Sequence, residues 1–220
     1  MLANATKAVL LMNLGSPDST NVPDVKKYLK QFLMDEKVID KSWLVRSLLV
    51  KGIIVPFRAP KSAEAYKTIW TKDGSPLVVM TKRLQAALQQ EIDYPVEIAM
   101  RYGNPSPETA FNNILKNYPQ VTEVIAVPLY PHYAMSSFET AVDYAKEIHA
   151  KNNYSFNLDF VSPFYNNADY LNALAENTRP YLEEDYDHIL FSYHGVPARH
   201  IMKSDVTGNH CLQSPDCCST

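Results

Sequence analysis

The chain has 220 residues, 46% of them hydrophobic and 20% charged, with 21 Lys and Arg against 24 Asp and Glu. That length supports one large domain or two small ones around a packed core. The net charge of −3 provides no basic field of the kind a nucleic acid requires, so nucleic acid is excluded as a partner.

Ala8–Met12 predicts the first strand. It follows a single Lys7 and runs straight into Asn13 and Gly15, too brief and wrongly flanked for a signal peptide or a membrane span. A cytoplasmic location is therefore expected. Val22–Leu33 predicts a helix with Asn21 as cap and Pro23 in its first turn. Lys41–Phe57 predicts a second helical region with its end weakened by Gly52 and Pro56. Leu77, Met80, Leu84, Leu88 and Ile92 recur at helical spacing on one face. Val96–Met100 predicts a strand, and Ser106-Pro107-Glu108 a helix start with cap, proline and early acid in order. The spacing then gives a strand over Val121–Leu129, a helix over Ser137–Lys151, a strand over Asn157–Val161 and a helix over Asn167–Leu182. Strands separated by helices imply an α/β fold of βαβ units with a parallel sheet, its post-strand loops gathered on one rim.

The last predicted strand is the most informative. Ile189, Leu190 and Phe191 lead into Ser192-Tyr193-His194-Gly195-Val196-Pro197. Gly195 and Pro197 stop the run, which puts His194 at the carboxyl end of a strand, the edge where open α/β sheets bind ligands. A histidine that merely finishes a strand is the plainer reading. There is no G-x-G-x-x-G and no phosphate-loop pattern, and Pro17 follows Gly15-Ser16, so nucleotide binding is disfavoured.

The Ser-x-His-Gly-(aliphatic)-Pro segment resembles the ferrochelatase signature. Four further segments resemble that family in the same order: Val9–Pro17, Tyr66–Ile69 with Gly74-Ser75-Pro76-Leu77, Met100-Arg101-Tyr102-Gly103, and Leu129-Tyr130-Pro131-His132-Tyr133. The resemblance implies a chelatase-like fold of two Rossmann-like lobes with parallel sheets flanked by helices. Residues 1–150 would form the first lobe with its pocket lip. Residues 151–220 would start a second lobe that is cut short, as in the front portion of a longer protein.

The implied activity is insertion of ferrous iron, Fe(II), into protoporphyrin IX to form protoheme. The alternatives are another tetrapyrrole chelatase, such as a cobalt-inserting one, or a non-catalytic tetrapyrrole-binding protein. Removing two pyrrole protons and capturing a hydrated metal both suit a neutral imidazole. The resemblance makes His194 the essential residue, as base, metal ligand or both. It also implies porphyrin contacts at Met12, Asn13, Leu14, Tyr130, Tyr133 and Phe164, with Arg58 and Arg101 as cations for the propionates. Each aromatic or aliphatic could equally be core, and each arginine a surface ion pair. His132 is a second histidine on the same rim, with a structural role the simpler account. Lys41–Phe57 matches the family's pocket lip, which implies peripheral membrane contact; an internal core helix is the other reading.

Cys211, Cys217 and Cys218 lie within eight residues in a chain otherwise free of cysteine. Adjacent cysteines rarely bridge each other. The three admit two readings: ordinary thiols, or ligands of a [2Fe–2S] cluster whose fourth cysteine would lie beyond Thr220.

Overall fold

β1 (Lys7–Ser16) is the hub of a four-stranded parallel sheet in the order β2-β1-β3-β4. The computed structural model describes residues 4–217. β2 (Val96–Gly103) and β3 (Glu123–Pro128) flank β1, with Leu11 opposite Ile98 on one side and Val127 on the other. Because side chains alternate along a strand, β1 feeds two separate cores. Ala8, Leu10 and Met12 join Phe111 and Ile114 of α5 (Pro107–Asn117) and Ala141 and Ala145 of α6 (Thr140–Lys151). Leu11 instead joins Ile98 and Met100, beneath Leu77, Val78 and Leu88 of α4 (Pro76–Glu91). Full burial of such a side chain contributes about 1.5–3 kcal/mol, so this one strand ties both helical layers down.

β1 runs four residues past the predicted Met12 end to Ser16, because its pairing with β2 continues through Gly15–Tyr102 and Ser16–Gly103. The strands approach so closely there that a Cβ on Gly15 would lie 1.7 Å from the Tyr102 carbonyl oxygen. Gly15 also has φ +100°, which L side chains rarely adopt.

α1 (Val22–Leu33) forms as predicted, but Asn21 does not cap it with its side chain. Instead the Ser19 hydroxyl donates to Asp24 at 2.5 Å and accepts from the Asn21 amide. The predicted Lys41–Phe57 region is not one helix. α2 (Trp43–Ser47) gives way to a π-helical stretch (Leu48–Ile54), and α3 (Val55–Ile69) then continues beyond the expected end. Pro56 starts α3 rather than weakening it, since its missing N–H falls in the first turn. The predicted Ser137–Lys151 helix likewise opens with a π-helical turn over Met135–Glu139 before α6.

β4 (Asn157–Phe160), expected to open a second lobe, pairs in parallel with β3 as the outer strand of this same sheet. α7 (Ala168–Leu182) is capped by Asn167, whose Oδ1 accepts the Tyr170 amide, but it buries no residue. The expected strand over 189–191 does not form. That stretch has no regular structure, and Leu190 is 91% exposed. A strand requires a neighbour's free ladder groups, and no described strand pairs with it. α8 (Ala198–Ser204) follows. No helix among the described residues is long and apolar enough to cross a membrane.

Candidate active site at the carboxyl edge of the sheet

Parallel pairing brings the ends of β1, β2 and β3 to one edge, so residues far apart in sequence meet there. Asn13 and Leu14 stand side by side on β1 and face opposite ways. Asn13 Nδ2 donates to Thr81 Oγ1 at 3.1 Å, and its Oδ1 accepts the Leu14 amide at 2.8 Å. It borders a cavity of about 480 Å³ walled by Leu77, Met80, Leu84 and Leu129. The predicted apolar face of α4 therefore has more apolar surface than the sheet covers. Met80 stays 60% exposed and lines the cavity.

Leu14 faces a second cavity of about 510 Å³ with Tyr28, Phe32, Arg58, Tyr66 and Ile69. Tyr28 donates to the Gly15 carbonyl at 3.3 Å and meets Tyr66 edge to face. Burial pushes the Tyr28 phenol well above its ordinary pKa, so it remains a neutral donor. Arg58 is exposed and is the cation of this cavity. Apolar and aromatic walls with one cation suit a flat apolar ligand carrying acidic groups.

The Ser192–Pro197 segment reaches this edge through its far end. Val196 lines a small cavity of about 110 Å³ with Tyr133, Met135, His200 and Cys211, and Lys203 of α8 pairs with Asp40 at 2.6 Å. His194, two residues before Val196, is exposed.

The model of the ferrochelatase family matches residues 6–217. The chain belongs to the ferrochelatase family. It is 48% identical over 217 residues to a ferrochelatase of Opitutus terrae, covering 97% of this chain and 62% of that one. It is 49% identical to ferrochelatases of Pseudomonas syringae pv. syringae (97% of this chain) and Pseudomonas entomophila (96%), again over 62% of each relative. The chain thus spans about 62% of the length of the curated relatives it matches.

The ferrochelatase segments do not all face ligand space. Met12 is a correction: it is 1% exposed and belongs to the core under α5 and α6, because strand alternation turns it inward. Arg101 is another. Its Nη2 donates to Asp35 Oδ2 at 2.5 Å, its Nε donates to Thr140 Oγ1 at 2.7 Å, and its guanidinium lies 4.4 Å from the ring centroids of Tyr102 and Tyr144. Only 14% of its side chain is exposed, so it holds the scaffold and is not presented to a propionate.

Tyr130 packs against the core, with its hydroxyl buried and without a hydrogen-bond partner. Burial raises its pKa. Tyr133 is 46% exposed and donates to Glu139, which also accepts from Lys37. His132 is exposed and stacks on Tyr165, with ring centroids 5.4 Å apart. Phe164 is half-buried against Tyr170, away from the Leu14 and Asn13 cavities.

Sequence reasoning missed Asp35, which joins α1, β2 and α6. It accepts from Arg101, from Tyr102 at 2.8 Å, from Thr140 at 2.5 Å and from the Lys37 amide. Burial acts to raise its pKa, but the Thr140 hydrogen bond, the Arg101 charge and the remaining donors outweigh it and hold the carboxyl below the ordinary range. The signal available was Arg101 itself, a cation inside an apolar strand that needs an acid somewhere.

Asp205 shapes the cysteine loop by accepting from Thr207, Cys211 and His210, which lowers its pKa in that order of effect. Cys217 Sγ accepts the Leu212 amide at 3.3 Å. Burial, then the Asp205 charge and Cys217, push the Cys211 thiol up. Cys218 lies outside the described residues. Among the described residues no group of three or more His, Cys, Asp or Glu side chains is arranged to hold a metal.

Proposed function

We propose that this chain carries the iron-inserting site of a ferrochelatase, acting on ferrous iron and protoporphyrin IX to form protoheme, the last step of heme biosynthesis. One observation carries the reading. The His194-Gly195-Val196-Pro197 run docks through Val196 beside Tyr133, in a chain nearly half identical to proteins named ferrochelatase.

The reaction releases two protons: one Fe(II) replaces the two pyrrole hydrogens of the macrocycle. His194 is solvent-exposed, so its neutral imidazole accepts a pyrrole proton and passes it to water. In the alternative role the imidazole would instead ligate Fe(II) as the metal sheds water, leaving the pyrrole protons to pass to solvent, since one lone pair cannot hold metal and proton together. The cavities on either side of Asn13–Leu14 supply apolar walls for the ring, and Arg58 supplies the cation for a propionate.

Three narrower readings belong with this one. The lobe division is proposed to follow Phe160, supported by the pairing of β4 with β3. The exposed apolar side chains of Trp43, Leu48 and Phe57 support a lip that touches a bilayer from the cytoplasmic side. Cys211 and Cys217 lie in one loop, where the Cys211 amide donates to Asp205, and with Cys218 they are proposed as three ligands of a [2Fe–2S] cluster. Bound there, the cluster would supply positive iron that keeps the thiols deprotonated and pins the loop.

The test is His194→Ala in the complete protein, with turnover and porphyrin affinity measured side by side. Loss of a positioned acid–base group lowers turnover about 10²–10⁴-fold with affinity retained. Turnover within a few-fold of the parent would overturn the assignment.

A further inference from the structure

A cavity of about 940 Å³ lies outside the site just described, between α1 and the π-helical stretch with the start of α3. Lys26, Lys27 and Lys30 line it from α1, Lys51 lines it from across the groove, and Met34 and Val55 give it an apolar floor. Lys26 and Lys30 are four residues apart and so share one face of the helix. Lys27 is partly neutralised by Asp18 at 3.2 Å. Lys26, Lys30 and Lys51 form no ion pair among the described residues. Four ammonium groups around one groove are a local exception in a chain of net charge −3.

The segment that supplies Lys51 also exposes Trp43 (61%), Leu48 (75%) and Phe57 (75%), with Lys51 Nζ 5.5 Å from the Trp43 ring centroid. Apolar side chains beside unpaired lysines are what a protein lying on a charged bilayer presents: the first enter the acyl boundary, the second meet headgroup phosphates. We propose that this lysine-lined groove binds the phosphates of an anionic phospholipid bilayer. The proposal rests on the reading of Trp43–Phe57 as a membrane-facing lip and adds a headgroup site on α1, which that lip does not contain. A chain with net negative charge would otherwise be repelled by such a surface, so a local basic site is needed to reverse the sign.

The test is cosedimentation of the full chain with vesicles of phosphatidylcholine alone or with 30% phosphatidylglycerol, at 0.1 and 0.5 M NaCl. The parent should bind the anionic vesicles at least tenfold more strongly, and most of that difference should vanish in high salt. Each lysine near an anionic surface is worth about fivefold in binding, so Lys26→Ala with Lys30→Ala should lower it about 20–30-fold. Both side chains are exposed, and an unchanged melting temperature will show that the fold is intact. Unchanged anionic binding in that double variant would overturn the groove. Equal binding to both vesicle types, abolished by Leu48→Ser with Phe57→Ser, would overturn the groove and keep the lip. Binding to neither would overturn both. Inorganic phosphate at matched ionic strength should not displace the protein; displacement would overturn the bilayer as the source of the phosphate.

Discussion

Replacing Asp35 by Ala should be among the most damaging single changes in this protein. Asp35 is 4% exposed and Arg101 14% exposed, so the substitution strands a guanidinium in the interior and removes the acceptor of Tyr102 and Thr140. Breaking a buried pair from one side costs about 3–5 kcal/mol, because the desolvation penalty of the remaining charge is no longer offset. In a chain of this size each kcal/mol lowers the melting temperature by about 2–4 °C, so the expected fall is about 6–20 °C. Circular dichroism melts at pH 7 and 0.15 M NaCl measure it. A second variant, Asp35→Ala with Arg101→Met, removes both charges and should recover much of the loss. The pH dependence has a definite sign. The folded-state pKa of Asp35 is depressed, so the contribution is full above the unfolded aspartate value and is lost as pH falls through the folded one. The deficit of Asp35→Ala relative to the parent should therefore be constant from pH 7 to pH 5 and shrink only in stronger acid. A deficit under about 1 kcal/mol at pH 7 would refute the account of Arg101 as a buried, paired cation.

Gly15→Ala should lower the urea midpoint by an amount equivalent to at least about 2 kcal/mol, from strained φ and a Cβ that meets the Tyr102 carbonyl; an unchanged midpoint would mean the strands separate freely. Ser106→Ala removes the acceptor of the Thr109 amide at 3.2 Å and should cost about 0.5–2 kcal/mol by the same urea titration. Anaerobically purified protein of the relatives' full length, from a host that builds clusters, should be brown with iron and acid-labile sulfide in near-equal amounts. Colourless protein with all cysteines titratable would end the cluster proposal and leave His194 untouched.

The strands β1 to β4 and the helices between them were legible because alternation and helical periodicity are local properties of the chain. What was not legible was pairing. Ile189–Phe191 has the composition of a buried strand, yet no described strand offers it a ladder, and β4 belongs to a neighbour that spacing alone does not name. The site residues divide on the same principle. Leu14, Asn13 and Arg58 border cavities. Met12 turns inward by alternation, and Arg101 turns inward because its acid lies 66 residues earlier, beyond any local pattern. The π-helical stretches also escaped notice, since their side chains fit an α-helical period for a turn or two before the register slips.

The position of β1 in the sheet has a consequence for synthesis. The first strand made is the central one, and its partners arrive late: Lys7 and Glu123, which face each other across the β1–β3 ladder, are 116 residues apart in sequence. Helices α1, α3 and α4 can form as they emerge, but β1, on which α4 packs, has no ladder until β2 and then β3 leave the ribosome. Until β2 has been made the apolar run Ala8–Met12 is an unpaired, aggregation-prone segment. Nascent chains arrested before residue 96 should accordingly be rich in helix, readily proteolysed at β1, and dependent on holdase chaperones.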